Sequence, residues 1–270
     1  MPSKEETIAS FIQSAPPGQL QNVLDDIKSL TSSNPSLTQN LTSAFRQYNE
    51  AQLATTKLPS SNELVIISTH NALGNDRYSD PRSGKSFAYD HASHKASDTQ
   101  SHTSDSAHGD LVSQLDKALS AHVREHYPGE AAGAVYPTSK GVVLLTVANK
   151  YSLNNFWSGR WRAEYVLDPS AGTVRGEIKV DVHYFEDGNV RLNTKKEVEV
   201  KAGTRAEEVI RAVAVAEKRY QEELNRGFAQ LNEGVFKGLR RQLPVTRQRV
   251  EWDKVGAYRL GQDIGGGRSR

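Results

Sequence analysis

TRAEEVIRAVAVAEKRYQEELNRGFAQLNEGVFKGLRRQLP, residues 204–244, reads as one long helix. Val209, Val213, Ala216, Tyr220, Leu224, Phe228, Leu231, Val235 and Leu239 recur at three- to four-residue spacing, which lines them up on one side of a helix. Thr204-Arg205-Ala206-Glu207 matches a capping box, in which the Thr and Glu side chains each satisfy a backbone N–H at the helix start. Pro244, with no N–H and a fixed ring, stops the helix. At 1.5 Å per residue the rod is roughly 55–60 Å long. One small sheet of ordinary width cannot cover such a helix. Its apolar stripe therefore points to a second sheet or helix, supplied by another chain. A coiled coil or a packing partner within the chain is the alternative.

Immediately upstream the period changes from helical to two. Trp161, Ala163, Tyr165 and Leu167 alternate with Arg162, Glu164 and Asp168, Val166 being the exception. Val174, Ile178, Val180, Val182 and Tyr184 alternate with Arg175, Glu177, Lys179, Asp181 and His183. Asp187-Gly188 supplies the positive φ angles of a tight hairpin, and Val190 and Leu192 begin the return strand. Val142 to Val147 is a nearly continuous apolar strand. Short turns between consecutive strands predict an antiparallel meander of about four or five strands, one face of which needs cover.

Further upstream, Leu111, Leu115, Leu119 and Val123 space out a helix that ends by Pro128-Gly129. Residues 68–110 are rich in Ser, Asp, His and Gly, with Phe87 and Tyr89 as the obvious anchors. They are expected to be irregular, partly mobile near 93–106, and a deletion of residues 96–107 is expected to be tolerated. Leu64-Val65-Ile66-Ile67 reads as a short strand. At the N-terminus, Ile8, Phe11 and Ile12 share a helix face, Pro16-Pro17-Gly18 breaks the chain, and Leu20, Val23, Leu24, Ile27 and Leu30 repeat at helical spacing. Asn34-Pro35 marks a further helix start, followed by Leu37, Leu41, Ala44, Phe45, Tyr48 and Leu53. The fold class is α+β: an N-terminal helix bundle, an antiparallel β-sheet covered by a long C-terminal helix, and a flexible C-terminal extension. Four regions follow: 1–58, the bundle; 59–131, a middle region with a His/Ser-rich loop and a helix; 132–243, sheet plus long helix; and 244–270, the extension.

The chain has 270 residues, 36% of them apolar and 7% aromatic, with a single Met. That lean core suggests apolar surface shared with a partner. Zero cysteines exclude disulfides and thiol chemistry and fit a reducing compartment. The N-terminus lacks the apolar run of a signal peptide, and no stretch approaches the roughly 20 apolar residues of a membrane span. A cytoplasmic protein is expected. A net charge of +2 gives no global steering, so a basic site has to be local.

Catalytic signals are weak. His91 and His94 have a spacing a metal could use, but they sit in Ser-rich sequence without cysteines, and no metal is expected. Nothing resembles a nucleophile elbow or a phosphate-binding loop, so no catalytic residue and no cofactor are assigned. The strongest local feature is KGLRRQLPVTRQR, residues 237–249, which holds Lys237, Arg240, Arg241, Arg247 and Arg249 and no acid. Lys237 lies three and four residues before Arg240 and Arg241, so the three share a helix face. Such a cluster suits an acidic protein surface, anionic lipid headgroups or nucleic acid. A solvated helix end, whose cations favour the C-terminal dipole, explains it equally well.

NNFWSGRWRAEY (154–165), VHYFEDGNVRL (182–192) and LRRQLPVTRQRVEWDK (239–254) resemble hallmark segments of the F-actin-capping protein alpha subunit family. GNDRYSDPRSGKSFAYDHASHKASD (74–98) resembles that family's extended region before its middle helix. Order and spacing agree over nearly the whole chain. The segment after Ser93 and the terminus after Leu260 depart from the family's pattern.

The resemblance implies the alpha subunit of an obligate heterodimer with a beta subunit of like architecture. That heterodimer binds the barbed end of actin filaments and blocks subunit gain and loss there. It implies actin contacts at Lys237, Arg240, Arg241, Arg247 and Arg249, with Trp252 as an apolar contact of the extension. It further implies phosphoinositide binding at Lys237, Arg241 and Arg247, capping regulators as partners, and a place in actin-rich cortical cytoskeleton. It implies neither an enzyme nor a transmembrane protein. The competing reading is a basic nucleic-acid-binding subunit of a heteromeric complex. That reading leaves the apolar helix stripe and the FWSGRW run without a role and lacks aromatics for base stacking around 237–249. A hydrolase using the His-rich segment would need a rigid constellation that its composition argues against.

Overall fold

The structure is a computed structural model, and it describes residues 2–32, 41–59, 61–103, 109–139, 141–186 and 189–231. Residues 1–220 form one compact unit. It begins with helices α1 (Lys4–Gln13), α2 (Leu20–Leu30) and α3 (Thr42–Ala51). A capping box opens α1: Ser3 Oγ accepts from the Glu6 N–H at 3.1 Å, and Glu6 Oε2 accepts from the Ser3 N–H at 2.7 Å. Ile8 and Ile12, four residues apart, pack with Leu20, Ile27, Ala44, Phe45 and Tyr48. Phe11 does not join them. It sits at the edge of the stripe and is 52% exposed.

Two short strands follow, β1 (Thr55–Lys57) and β2 (Leu64–Ile66), paired antiparallel. Next comes a four-stranded antiparallel sheet of β3 (Ala72–Gly74), β4 (Arg77–Asp80), β5 (Lys85–Asp90) and β6 (Lys95–Ser101), in that spatial order. This corrects the expectation of an irregular His/Ser-rich loop over residues 72–101. The strands are masked in sequence because several inward positions are polar. Ser79, Ser86 and His91 are buried beside Tyr78, Phe87 and Tyr89. The turns rest on residues able to take positive φ: Asn75 at 50°, Asp76 at 54° and Gly84 at 62°. Ala54, Leu58, Val65 and Ile67 complete the core under this sheet.

The tolerated deletion is overturned with it. β6 pairs with β5 from Lys85↔Ser101 to Asp90↔Lys95. Arg77 ties it to β4 by donating to Asp98 Oδ2 at 2.6 Å and Asp98 O at 2.9 Å. Removing residues 96–107 strips β5 of its outer neighbour and leaves it paired with β4 alone. We expect a loss of about 3 kcal/mol, which lowers the melting temperature by roughly 6–12 °C in a protein of this size. Calorimetry of the deletion variant checks this, and an unchanged melting point would restore the dispensable-loop reading.

Helix α4 (Gly109–His126) leads into the main sheet of β7 (Glu130–Thr138), β8 (Gly141–Ser152), β9 (Trp157–Asp168), β10 (Thr173–Tyr184) and β11 (Val190–Lys201). Its order, β11-β10-β9-β8-β7, is a five-stranded antiparallel meander. The register assigns its faces. Leu144, Tyr165, Gly176 and Val198 form one cross-strand row, and Leu145, Glu164, Glu177 and Glu197 form the neighbouring row on the opposite face. Gly176 is required by close approach: a Cβ there would lie 2.0 Å from the Glu164 carbonyl oxygen.

The face bearing Tyr165 is covered by α4 and by the part of α5 (Ala206–Gln230) that runs to Tyr220. Gly133 leaves room for Leu119 and Val123 of α4, whose side chains come within 3.0–3.1 Å of where its Cβ would be. The other face receives Leu53, Leu64 and Ile66 against Ala132, Tyr136, Val143, Leu145 and Val147. β8 is therefore buried on both faces from Val142 to Val147. Arg160 and Arg162 of β9 donate to the carbonyls of Gln52 and Ala51, at the end of α3. Those guanidiniums meet the negative end of the helix dipole. The start of α5 differs by one residue from expectation. Arg205 takes the cap position: its carbonyl accepts from the Val209 N–H at 3.0 Å, and its guanidinium pairs with Glu208.

Candidate partner interface

Lys237, Arg240, Arg241, Arg247, Arg249 and Trp252, the residues singled out from the sequence, all lie beyond Leu231 and outside the described residues. Asp187-Gly188, the expected hairpin turn, lies outside the described residues too. The β10–β11 pairing that this turn predicts is present, from Thr173↔Lys201 to Tyr184↔Val190.

What the structure does describe is the seat of the long helix. Ala206, Val209, Ile210, Val213, Glu217 and Tyr220 are the buried residues of α5. Tyr220 stacks obliquely on Trp161 of β9, with ring centroids 5.8 Å apart, and its hydroxyl lies 3.2 Å from Thr194 Oγ1 of β11. Glu217 meets two groups from other elements. His122 Nε2 of α4 is 2.9 Å from Oε2, and the Tyr165 hydroxyl of β9 donates to Oε1 at 3.0 Å. Tyr127 lies close enough that Glu217 bears on its phenol. Burial first, and the Glu217 charge second, push the Tyr165 and Tyr127 phenols far up, so both stay protonated donors.

The covered face does not end under α5. Val182, Tyr184 and Val190 continue its rows toward one end of β10 and β11 and are exposed, Val190 to 65%. Val215, on the outer side of α5, is 56% exposed. Phe228 and Leu231, described separately from the compact unit, are exposed as well. β11 closes the sheet on this side, and its outer edge pairs with no strand among the described residues. A strand of twelve residues at the border of a sheet is a long template for another chain. Lys195, Lys196 and Lys201 are spaced along it.

Of the histidines weighed for metal binding, His91 is accounted for by packing. His91 is buried, with Nε2 3.1 Å from the Tyr78 hydroxyl and Nδ1 3.2 Å from Asn49 Nδ2. Desolvation holds its pKa below the ordinary value despite nearby Asp76 and Glu50. His94 is exposed in a turn, and partial desolvation of its ring beside Tyr89 lowers its pKa likewise. Among the described residues no group of three or more His, Asp or Glu side chains is placed to hold a metal ion. No helix of the described residues is long and apolar enough to cross a membrane. Sequence reasoning missed the pair of His70 and Glu164, whose Nε2 and Oε1 atoms are 2.9 Å apart. The hydrogen bond from His70 is the main cause that holds the Glu164 carboxyl below its usual range. Ninety-four residues separate the two, so no local signal could have joined them.

Comparison with known proteins gives this architecture relatives. The family model described as F-actin capping protein alpha subunit matches residues 8–263. The F-actin-capping protein subunit alpha of Neurospora crassa is 56% identical over 274 aligned positions, covering all of both chains. That of Chaetomium thermophilum is 54% identical, over 99% of this chain and 98% of the relative. That of Caenorhabditis elegans is 34% identical, over 97% of each. Among solved structures, the homodimeric actin capping protein alpha subunit from Plasmodium berghei aligns with a TM-score of 0.69 over 91% of this chain and 98% of that one. At 22% identity this last likeness speaks to the fold alone.

Proposed function

The chain belongs to the F-actin-capping protein alpha subunit family, and from that premise we propose that it caps the barbed end of actin filaments and blocks subunit addition and loss there. The observation that carries the reading is the full-length match to the Neurospora crassa protein at 56% identity. Membership places the chain among binding proteins rather than enzymes. The reading includes a beta subunit as obligate partner. The free edge of β11, with exposed Val182, Tyr184 and Val190 beside it, supports such pairing: unpaired backbone and apolar side chains occur together there. The basic run supplies the filament contacts, through Lys237, Arg240, Arg241, Arg247 and Arg249, with Trp252 as an apolar anchor. Lys237, Arg241 and Arg247 also suit a phosphoinositide headgroup, whose phosphates take the same cations. Residence in the actin cytoskeleton at cortical sites, and control by capping regulators, follow from the same reading.

The test is elongation from filament seeds in the presence of the chain co-expressed with a beta subunit. Barbed-end growth is expected to stop at a concentration of heterodimer comparable to that of the filament ends. Growth that continues at the uncapped rate with heterodimer in large excess would overturn the proposal. Retention of the complex on nucleic acid rather than on filaments would favour the competing subunit.

A further inference from the structure

We propose that Glu217 is a positioning residue for capping: its buried hydrogen bonds set the register of α5 along the sheet. The proposal rests on the capping function above and names the feature of the fold that makes the helix arrive in one place.

The stripe of α5 that faces the sheet is apolar except at this position. Ala206, Val209, Ile210 and Val213 are all buried. Apolar contact is non-directional, so sliding the helix by one turn, about 5.4 Å, exchanges one set of apolar neighbours for another. Glu217 is different. It is 5% exposed, its partner His122 is 6% exposed, and Tyr165 is fully buried. The two hydrogen bonds, at 2.9 and 3.0 Å, come from α4 and from β9, so they fix α5 against two separate elements at once. A slide of one turn would leave a buried carboxylate without donors, which is strongly unfavourable. Of the polar groups on this face, Trp161 Nε1 is buried without a partner and so exerts no comparable hold. Tyr220 adds one contact, to Thr194. The pin at Glu217 therefore selects one seating from several that the apolar stripe would tolerate. The register decides where the outer side of α5, with exposed Val215, is presented.

A merely stabilising pair and a register pin respond differently to substitution. Replacing both members by apolar residues removes the buried charge, and such replacements are often neutral or favourable for stability. The double variant Glu217→Leu/His122→Leu is therefore expected to form the heterodimer, with a melting temperature lowered only by the Tyr165 hydroxyl that it leaves buried without an acceptor. Its association with barbed ends should still slow by about tenfold, inside the one to three decades over which association rates vary among variants of one interface. Glu217→Gln keeps the shape and an acceptor for Tyr165, and it should recover most of that loss. A double variant that associates at the wild-type rate, or a Gln variant as slow as the double, overturns the proposal. Should the double variant fail to fold, Tyr165→Phe removes one donor and little volume. A slower association rate at an unchanged melting point then supports the pin, and an unchanged rate overturns it. Wild-type heterodimer assayed alongside separates the two readings. If it fails to cap, the functional assignment falls. If it caps and every variant caps equally well, only the pin falls.

Discussion

Lys237→Glu combined with Arg241→Glu slows capture of barbed ends by about tenfold or more at low salt, and the loss shrinks as salt rises. The expectation comes from where the charge sits. The whole chain carries only +2, yet residues 237–249 hold five cations and no acid. An acidic filament end can be found at a distance only through such a local field. Charges at the rim of an interface act mainly on association, and salt screens them. The buried contacts of α5 lie at other positions, from Ala206 to Tyr220, so the heterodimer should survive the double reversal. Removing residues 245–270 is expected to act on the other rate. It deletes Arg247, Arg249 and Trp252, and aromatic and Arg residues are the usual anchors of interfaces. Dissociation should accelerate more than association slows. Both constants can be measured by seeded elongation at two salt concentrations. Unchanged association in the charge-reversed protein would detach the basic run from actin, and unchanged dissociation after truncation would remove the anchoring role of the extension.

Expressed without a beta subunit, the chain should be insoluble or poorly folded, and co-expression should recover it. Val182, Tyr184 and Val190 lie exposed beside a strand edge that pairs with no strand among the described residues, and Val215 is exposed on the helix above the same sheet. Free edges and contiguous apolar surface drive association with whatever is available, including other copies of the chain. Folding and pairing are then linked by mass action. Sedimentation and thermal melting of the lone chain decide the matter. A monodisperse monomer that melts cooperatively at micromolar concentration would show that the chain is complete by itself.

Much of the fold was readable because period and burial coincide. β9 alternates apart from Val166, β10 alternates as far as Val180 before it inverts, with Asp181 and His183 buried and Val182 and Tyr184 exposed, β8 is apolar on both sides because both of its faces are covered, and the stripe of α5 has helical spacing. The small sheet escaped because alternation there is written in Ser and His, residues that read as loop unless their partners are known. His91 needs Asn49, forty-two residues away, to be comfortable in a core. Glu217 escaped for a related reason. The stripe could be drawn through Ala216, since nothing local says that a carboxylate four residues after Val213 finds His122 and Tyr165. Arg160 and Arg162 read as part of a family motif, while their role at the end of α3 depends on contacts 108 and 111 residues distant. The capping box at Ser3 and Glu6 was present in the sequence, in the same pattern that was assigned one residue too early at Thr204. The basic run was legible as chemistry because it needs no partner within the chain to be noticed.

The meander has a consequence for synthesis. Each strand from β7 to β11 pairs with the one made just before it, so the sheet can assemble hairpin by hairpin in the order of translation. Its helical cover does not keep pace. α4 precedes the sheet, but the α5 residues that complete the covered face, through Tyr220, are translated after Lys201. At 5–20 residues per second, the ribosome takes about 1 to 4 s to make the residues between them. For that interval the nascent chain holds a formed sheet with part of an apolar face bare, which makes it a client for chaperones at a defined point in its synthesis.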